Sequence, residues 1–113
     1  MKKGGGPVRF RNINIRNILS EALTCGGIIA DVRNQEDFAK GHIPMAINLP
    51  LEEIQKGNYS LPRGKVILVY CENGGSSALA ARLLSEKGIK VINTIGGIKE
   101  YRGGLTKKGI YRS

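Results

Sequence analysis

Short apolar runs, separated by polar or glycine-rich turns, recur along the chain. Residues 66–70 read VILVY, and related runs occupy residues 28–32 (IIADV) and 91–95 (VINTI). Runs of this length and composition are typical of strands buried on both faces of a parallel sheet. Two further short strands are predicted, one around Ile13 and one at residues 46–49.

Helical spacing of apolar residues fills the intervals between these runs. Helices are predicted at residues 16–23, between Asn34 and Gly41, and at residues 51–56. A longer helix is predicted from a cap at Ser76 or Ser77 to Gly88, and a last one runs from the Gly96-Gly97 pair to about residue 101. This alternation predicts an α/β domain in which helices cover both faces of a parallel sheet of about five strands.

The chain is long enough for one domain with its own core. Its 113 residues divide by composition into three parts. Residues 1–7 are predicted to be a flexible leader, residues 8–102 the folded domain, and residues 103–113 a basic C-terminal tail.

A formal net charge of +9 is high for a domain of this size. It suggests an anionic partner, but a solvated basic surface is favoured over a specific nucleic-acid site, because aromatic residues are sparse and no stacking motif is visible. No apolar run approaches membrane-spanning length, and no secretory signal is recognisable at the start. With only two cysteines, a reduced cytoplasmic setting is expected, without a membrane.

The segment after the central apolar run carries the candidate chemistry. Cys71 follows the strand at once, Gly74 and Gly75 permit a tight turn, and a helix begins next. The unpaired N–H groups and the dipole of a helix N-terminus stabilise an anion, so a thiolate at Cys71 is favoured there. Successive amides of the loop can also surround whatever the sulfur carries. The alternative is that Cys71 is a small buried apolar residue.

Three blocks of this sequence resemble the single-domain rhodaneses, the sulfurtransferases that work through a cysteine persulfide. They are DVRNQEDFAKGHIPMAINLP, VYCENGGSSALAARLLSEKG and VINTIGGIKEY, in this order. The resemblance covers residues 13–102. It implies a rhodanese-like fold, a transferable sulfur atom on Cys71, and no cofactor. It also implies a binding loop made of Glu72, Asn73, Gly74, Gly75, Ser76 and Ser77.

The loop from Cys71 to Ser76 has the six-residue length associated with sulfur-transferring members of that family. A cysteine phosphatase needs an arginine where this chain has Ser77, and without that guanidinium the phosphate loses its main charge partner. Glu72 adds a carboxylate beside the sulfur. Unless Arg33 supplies a cation, thiosulfate is therefore expected to bind weakly. The expected partners are a small sulfur-containing anion, a protein that bears a thiol or persulfide, or both.

Four other side chains have mainly structural interpretations. His42, in a Gly-His-Ile-Pro turn, is expected to bond the backbone and fix the loop. Asp31 and Arg33 are expected to form an ion-pair network under the active-site edge. Cys25 is a weaker candidate for resolving the persulfide as a disulfide. No spacing of ligands supports a metal site.

Two other functions remain open. The segment GGIKEYR also resembles the rhodanese portion of tRNA 2-selenouridine synthases, although this chain lacks the P-loop found there, so it is a fragment or a relative in that case, with tRNA as a partner. The other alternative is a non-catalytic rhodanese-like module that docks a partner protein. The sequence does not indicate the oligomeric state.

Overall fold

A computed structural model describes residues 9–108. The leader predicted at residues 1–7 and the last five residues of the predicted tail lie outside the described residues. Five strands are present: β1 (Arg11–Asn14), β2 (Ile28–Asp31), β3 (Ile47–Asn48), β4 (Ile67–Tyr70) and β5 (Val91–Ile95). Four α-helices are described: α1 (Ile18–Cys25), α2 (Gln35–Lys40), α3 (Leu51–Lys56) and α4 (Gly75–Glu86). Short 3-10 helices occupy Ile15–Asn17 and Ile98–Glu100.

The strands form one parallel sheet in the order β1-β5-β4-β2-β3. Strand β4 is central, and its register aligns Ile67 with Ile28 of β2 and with Val91 of β5. All four of its residues are completely buried. The apolar run in the sequence therefore marks the centre of the sheet, where neither face of a strand meets water.

Helices cover both faces of this sheet. One face packs Ala30, Ile67 and Val69 against residues of α3 and α4, among them Ile54 and Ala80. The other face packs its strand residues against α1, α2 and the last 3-10 helix. The predicted α/β architecture, with about five parallel strands between two helical layers, is confirmed.

Three element boundaries differ from the prediction. The first helix begins as a 3-10 turn and becomes α-helical only at Ile18. The last helix is a 3-10 turn of three residues, Ile98–Glu100, and not an α-helix. The expected serine cap of α4 is wrong, because Gly74 occupies the N-cap with φ of 109° and no side chain caps the helix.

Candidate active site

Three chain segments meet at the carboxyl ends of the central strands. Cys71 follows β4 directly, Arg33 lies two residues after β2, and the Gly96-Gly97 pair follows β5. Since β5, β4 and β2 are neighbours in a parallel sheet, their carboxyl ends lie at the same edge. Ligands of open α/β sheets bind at this edge, so the fold itself brings the candidate residues together.

The sulfur of Cys71 accepts two backbone hydrogen bonds. The N–H of Gly74 donates to Sγ at 3.0 Å, and the N–H of Ser77 donates at 3.2 Å. The hydroxyl of Ser77 donates to the carbonyl oxygen of Gly74 at 3.2 Å, which closes the turn around the sulfur. Both donors favour a sulfur atom that carries negative charge, because a thiolate is a stronger acceptor than a thiol.

Further amides beside the sulfur have no acceptor. Within residues 9–108, the backbone N–H groups of Glu72, Asn73, Gly75 and Ser76 make no hydrogen bond to the protein. Gly75 and Ser76 form the first turn of α4, where a helix leaves its N–H groups unpaired and carries a partial positive charge. This loop can therefore donate several hydrogen bonds to an anion attached to Cys71.

The segment after β5 packs against the Cys71 loop and forms hydrogen bonds with its backbone. The N–H of Ile98 donates to the carbonyl oxygen of Cys71 at 2.9 Å, and that of Lys99 donates to Glu72 at 3.4 Å. A β-carbon at Gly97 would lie 2.2 Å from the carbonyl oxygen of Glu72 and 2.5 Å from Cα of Asn73. Only glycine permits so close an approach of the two backbones.

Arg33 brings a cation to the loop but shares it among three acceptors. Its Nε and Nη2 atoms bind Asp31 at 2.7–3.1 Å, and Nη2 also donates to the carbonyl oxygen of Gly41 at 2.8 Å. Nη1 lies 3.5 Å from the carboxylate of Glu72. Burial alone lowers the pKa of the Arg33 guanidinium, but the hydrogen bonds and charge of Asp31 outweigh it and raise that pKa. Arg33 is thus a permanent cation held between two carboxylates.

Asp31 is completely buried, and its remaining contacts tie β2 to β4. The hydroxyl of Tyr70 donates to its Oδ2 at 2.7 Å and accepts the N–H of Ile43 at 3.0 Å. Burial raises the pKa of the Tyr70 phenol strongly, and the charge of Asp31 raises it further. The expected ion-pair network is confirmed, and it extends through Tyr70 to the loop after α2.

His42 holds the loop in place, as predicted. Its Nδ1 lies 2.8 Å from the carbonyl oxygen of Phe38, and its Nε2 lies 2.6 Å from that of Lys108. The ring stacks on Phe38 with 3.7 Å between ring centroids. The backbone of His42 also pairs with Thr106 in an antiparallel bridge, with both N···O distances 2.8 Å. The first residues of the basic tail are therefore bonded to the edge that carries the site.

The structure brings together most of the candidate residues and separates one. One cluster contains Cys71, Glu72, Gly74, Gly75, Ser77 and Arg33. The side chains of Asn73 and Ser76 are exposed and make no hydrogen bond within residues 9–108. Cys25 lies at the opposite edge of the sheet, in a cleft with Val66 and Lys90, which precede β4 and β5. Five residues of extended chain separate Val66 from Cys71, or about 16 Å. A disulfide between Cys25 and Cys71 is excluded in this fold, since it requires Cα atoms within about 7 Å.

Sequence reasoning missed three participants: Tyr70, Gly41 and the close contact at Gly97. Only Gly97 left a signal, since a glycine pair directly after a strand indicates a close backbone approach. Among the described residues, no group of three His, Cys, Asp or Glu side chains is arranged to hold a metal ion. No helix of residues 9–108 has the length and hydropathy needed to cross a membrane.

The comparisons with known proteins agree with this geometry. The family model of the rhodanese-like domain matches residues 16–103, so the chain belongs to the rhodanese-like family. Among solved structures, a rhodanese-related protein from Thermoplasma volcanium has a TM-score of 0.73 at 29% identity and covers 88% of this chain and 100% of its own. A rhodanese-like domain protein from Staphylococcus aureus has a TM-score of 0.74 at 28% identity, with the same coverage of both chains.

Curated relatives carry names from sulfur metabolism. A tRNA sulfurtransferase of Desulfurococcus amylolyticus is 41% identical over 77% of this chain, which spans 17% of that protein. A putative sulfur carrier protein of Bacillus subtilis is 37% identical over 66% of this chain, which spans 41% of that relative. A thiosulfate sulfurtransferase of Coxiella burnetii is 37% identical over 66% of this chain and is covered to 71%. The chain thus spans less than half the length of the first two relatives.

Proposed function

We propose that the protein is a sulfurtransferase that carries a sulfane sulfur atom as a persulfide on Cys71. The observation that carries the proposal is the pair of backbone N–H groups, from Gly74 and Ser77, that donate to the Cys71 sulfur. A buried cysteine with only a packing role has no need of two aligned donors. Relatives named as sulfurtransferases support the same chemistry.

The first half-reaction loads the cysteine. The thiolate of Cys71 attacks the outer sulfur of thiosulfate, a new S–S bond forms, and the S–S bond of thiosulfate breaks as sulfite leaves with the electron pair. The attacking species is the thiolate form of Cys71, to which the N–H groups of Gly74 and Ser77 donate, so no side chain is assigned as a general base. The terminal sulfur of the persulfide is itself an anion, and the unpaired amides from Glu72 to Ser76 are the donors available to it.

The second half-reaction transfers the sulfur atom from Cys71 to an acceptor. An acceptor thiolate attacks the terminal sulfur, the S–S bond to Cys71 breaks, and the electron pair returns to the Cys71 sulfur. The Cys71 thiolate is regenerated and the acceptor leaves as a persulfide, so neither half-reaction consumes an oxidant or a reductant. The two donors from Gly74 and Ser77 stabilise this leaving thiolate as they stabilise the attacking one.

Thiosulfate is proposed to be a substrate that binds weakly. A protein that bears a thiol or persulfide is proposed to be the physiological partner. Among residues 9–108, the guanidinium that forms an ion pair with the loop is that of Arg33, which is already bound by Asp31 and lies beside the carboxylate of Glu72. A dianion entering the loop therefore meets one neutralised cation and one exposed carboxylate. A thiol or persulfide group on another protein carries less charge and avoids this repulsion.

Intact mass spectrometry tests the proposal. The parent protein and Cys71→Ser are treated with thiosulfate and, separately, with a small-molecule persulfide, and each is weighed without reducing agent. We expect the parent to gain one sulfur atom, about 32 Da, that cyanide removes, and the variant to gain none. A Cys25→Ser control must gain the same mass as the parent. Absence of the gain with both donors overturns the proposal and favours a docking module.

A part in tRNA modification is a second candidate, favoured by the 41% identity to a protein named tRNA sulfurtransferase. It uses the same persulfide on Cys71, but the final acceptor is a tRNA base whose oxygen must leave as sulfur enters. That step needs a partner enzyme that activates the oxygen with ATP and a thiol reductant that supplies two electrons to the sulfane sulfur. A carrier experiment separates the two: persulfide-loaded protein labelled with ³⁵S is mixed with tRNA or with a protein thiol. With ATP, a thiol reductant and a cell extract that supplies the activating enzyme, label appearing in tRNA supports the second candidate, whereas label appearing only in protein contradicts it.

A further inference from the structure

The edge of the sheet opposite Cys71 is lined with cations. Because all five strands are parallel, the segments that precede β1, β4 and β5 meet at this edge. These segments, together with the first residue of β1, carry six exposed basic residues, called the basic edge below: Arg9, Arg11, Arg63, Lys65, Lys87 and Lys90.

Two adjoining clefts run between these segments. One, of about 550 Å³, is lined by four of the six cations and by Tyr59. The other, of about 380 Å³, is lined by Arg9, Arg11 and Cys25. Lys90 lines both clefts, so they lie side by side. Neither cleft is lined by an Asp or Glu among the described residues.

The cations of the basic edge are almost unpaired. Among residues 9–108 only Arg11 has a carboxylate partner, Glu21, at 2.5 Å. Lys65 donates to the carbonyl oxygen of Gly26 at 3.2 Å, which positions its ammonium group without neutralising it. The segment before β1 is fixed to α4, since the backbone of Arg9 bonds the Ser85 hydroxyl through both its N–H and its carbonyl oxygen.

We propose that the basic edge binds the phosphate backbone of single-stranded RNA. The cations follow a line from the loop before β4, past β5, to β1, which spans two strand spacings, or about 10 Å. An extended polyanion matches such a line, whereas a single phosphate group would need converging, buried donors. Tyr59, partly buried in the wall of the larger cleft, offers a ring on which a base can stack. A flat anionic bilayer contacts protruding side chains and does not enter clefts.

We assign RNA as the ligand, because single-stranded segments are common in folded RNA and are the usual targets of proteins that recognise it. The proposal goes beyond sulfur transfer and does not depend on Cys71, which lies at the other edge of the sheet. A variant unable to carry sulfur therefore keeps this binding, and failure of one proposal leaves the other testable.

The test measures the affinity for a fluorescent 12-nucleotide uridine oligomer by anisotropy between 25 and 200 mM salt. The test variant is Arg63→Gln/Lys87→Gln/Lys90→Gln. The matched control, Lys40→Gln/Lys99→Gln/Arg102→Gln, removes the same charge outside both clefts. We expect the test variant to bind at least tenfold more weakly and the control to change less than twofold. The slope of log K against log salt is expected to fall by about two in the test variant, because each lost contact removes about 0.7.

Four results would overturn the proposal. The first is the absence of binding by the parent at 25 mM salt, and the second is an equal loss in both triple variants, which indicates diffuse charge. The third is tighter binding of phosphatidylserine vesicles than of RNA, which indicates a membrane surface. The fourth is loss of RNA binding in Cys71→Ser, which places the site at the sulfur loop. Thermal unfolding of each variant confirms that it is folded.

Discussion

A β-carbon placed on Gly97 would lie 2.2 Å from the carbonyl oxygen of Glu72. The two residues belong to loops that follow different strands. The loop after β5 packs directly against the turn that surrounds Cys71, with no space for a side chain between their backbones. With φ of 69°, Gly97 also occupies the left-handed region that favours glycine. The shape of the sulfur site therefore depends on a residue that never touches the sulfur.

Gly97→Ala is expected to slow persulfide formation at least tenfold. The new methyl group displaces the backbone of Glu72 and with it the donors around Cys71. Gly57→Ala is the matched control, because Gly57 has φ of 73° and open space around its Cα. Gly57→Ala is expected to lose about 1–2 kcal/mol of unfolding free energy from backbone strain, and Gly97→Ala is expected to lose more, because its methyl group also overlaps backbone atoms of Glu72 and Asn73. Urea denaturation measures both losses. Equal rates of persulfide formation in single-turnover mass measurements would contradict this account of Gly97.

Glu72→Gln is expected to lower the KM for thiosulfate about fivefold. Removing one exposed carboxylate near the loop relieves about 1 kcal/mol of repulsion, and it frees Nη1 of Arg33. The measurement is steady-state transfer from thiosulfate to cyanide. Glu86→Gln, which removes an exposed carboxylate from the far end of α4, should leave KM unchanged. A parent KM in the low micromolar range would show that thiosulfate is bound well despite Glu72.

Tyr70 should make stability sensitive to alkaline pH. Burial, and then the charge of Asp31, raises the pKa of its phenol above the ordinary value near 10. The folded protein therefore keeps a proton that the unfolded chain releases, and stability falls as pH rises above about 10. Relative to Tyr70→Phe, the parent should lose up to about 1.4 kcal/mol per pH unit in urea unfolding between pH 10 and 11.

At pH 8 the same substitution, Tyr70→Phe, should cost about 1–3 kcal/mol, since it leaves the buried N–H of Ile43 without an acceptor and removes one of the donors to Oδ2 of Asp31, which Arg33 still binds. Tyr101→Phe serves as the comparison, because burial also raises the pKa of Tyr101. Parallel stability curves for the parent and Tyr70→Phe above pH 10 would refute the assignment.

Thr106→Pro should destabilise the fold by about 1–3 kcal/mol. Proline removes the N–H that donates to the carbonyl oxygen of His42, a completely buried residue, and leaves that oxygen unsatisfied. Thr106→Val keeps this N–H and loses only the hydroxyl that accepts the N–H of Lys108. The proline variant should therefore unfold at a lower urea concentration than the valine variant. Identical midpoints would mean that the bridge to His42 contributes nothing.

Local features of the site were predictable from the sequence, and distant contacts were not. The order of strand, cysteine, glycine pair and helix in residues 66–84 specified the parallel centre and the position of the sulfur, because each step depends on neighbouring residues. Asp31 and Arg33 are two residues apart, so their pairing was also predictable. The bridge between His42 and Thr106 joins residues 64 positions apart through backbone atoms alone. No side-chain pattern encodes such a contact.

The start of α4 shows how the site overrides local preference. Two serines beside a helix start favour capping, yet Gly74 takes that position. The N–H of Ser77 is used by the sulfur of Cys71, and its hydroxyl turns back to Gly74. The helix therefore begins at Gly75, with Ser77 inside its first turn. The need to surround the sulfur shifts the boundary.

The placement of the two cysteines at opposite edges of the sheet has a kinetic consequence. A sulfur atom loaded on Cys71 has no second thiol of the same described chain within reach, so the protein cannot discharge itself. Turnover then depends on the concentration of an external acceptor, and the loaded form persists when acceptors are scarce. Oxidation, for the same reason, is expected to join two molecules through the exposed Cys25 and to leave the buried Cys71 as a free thiol.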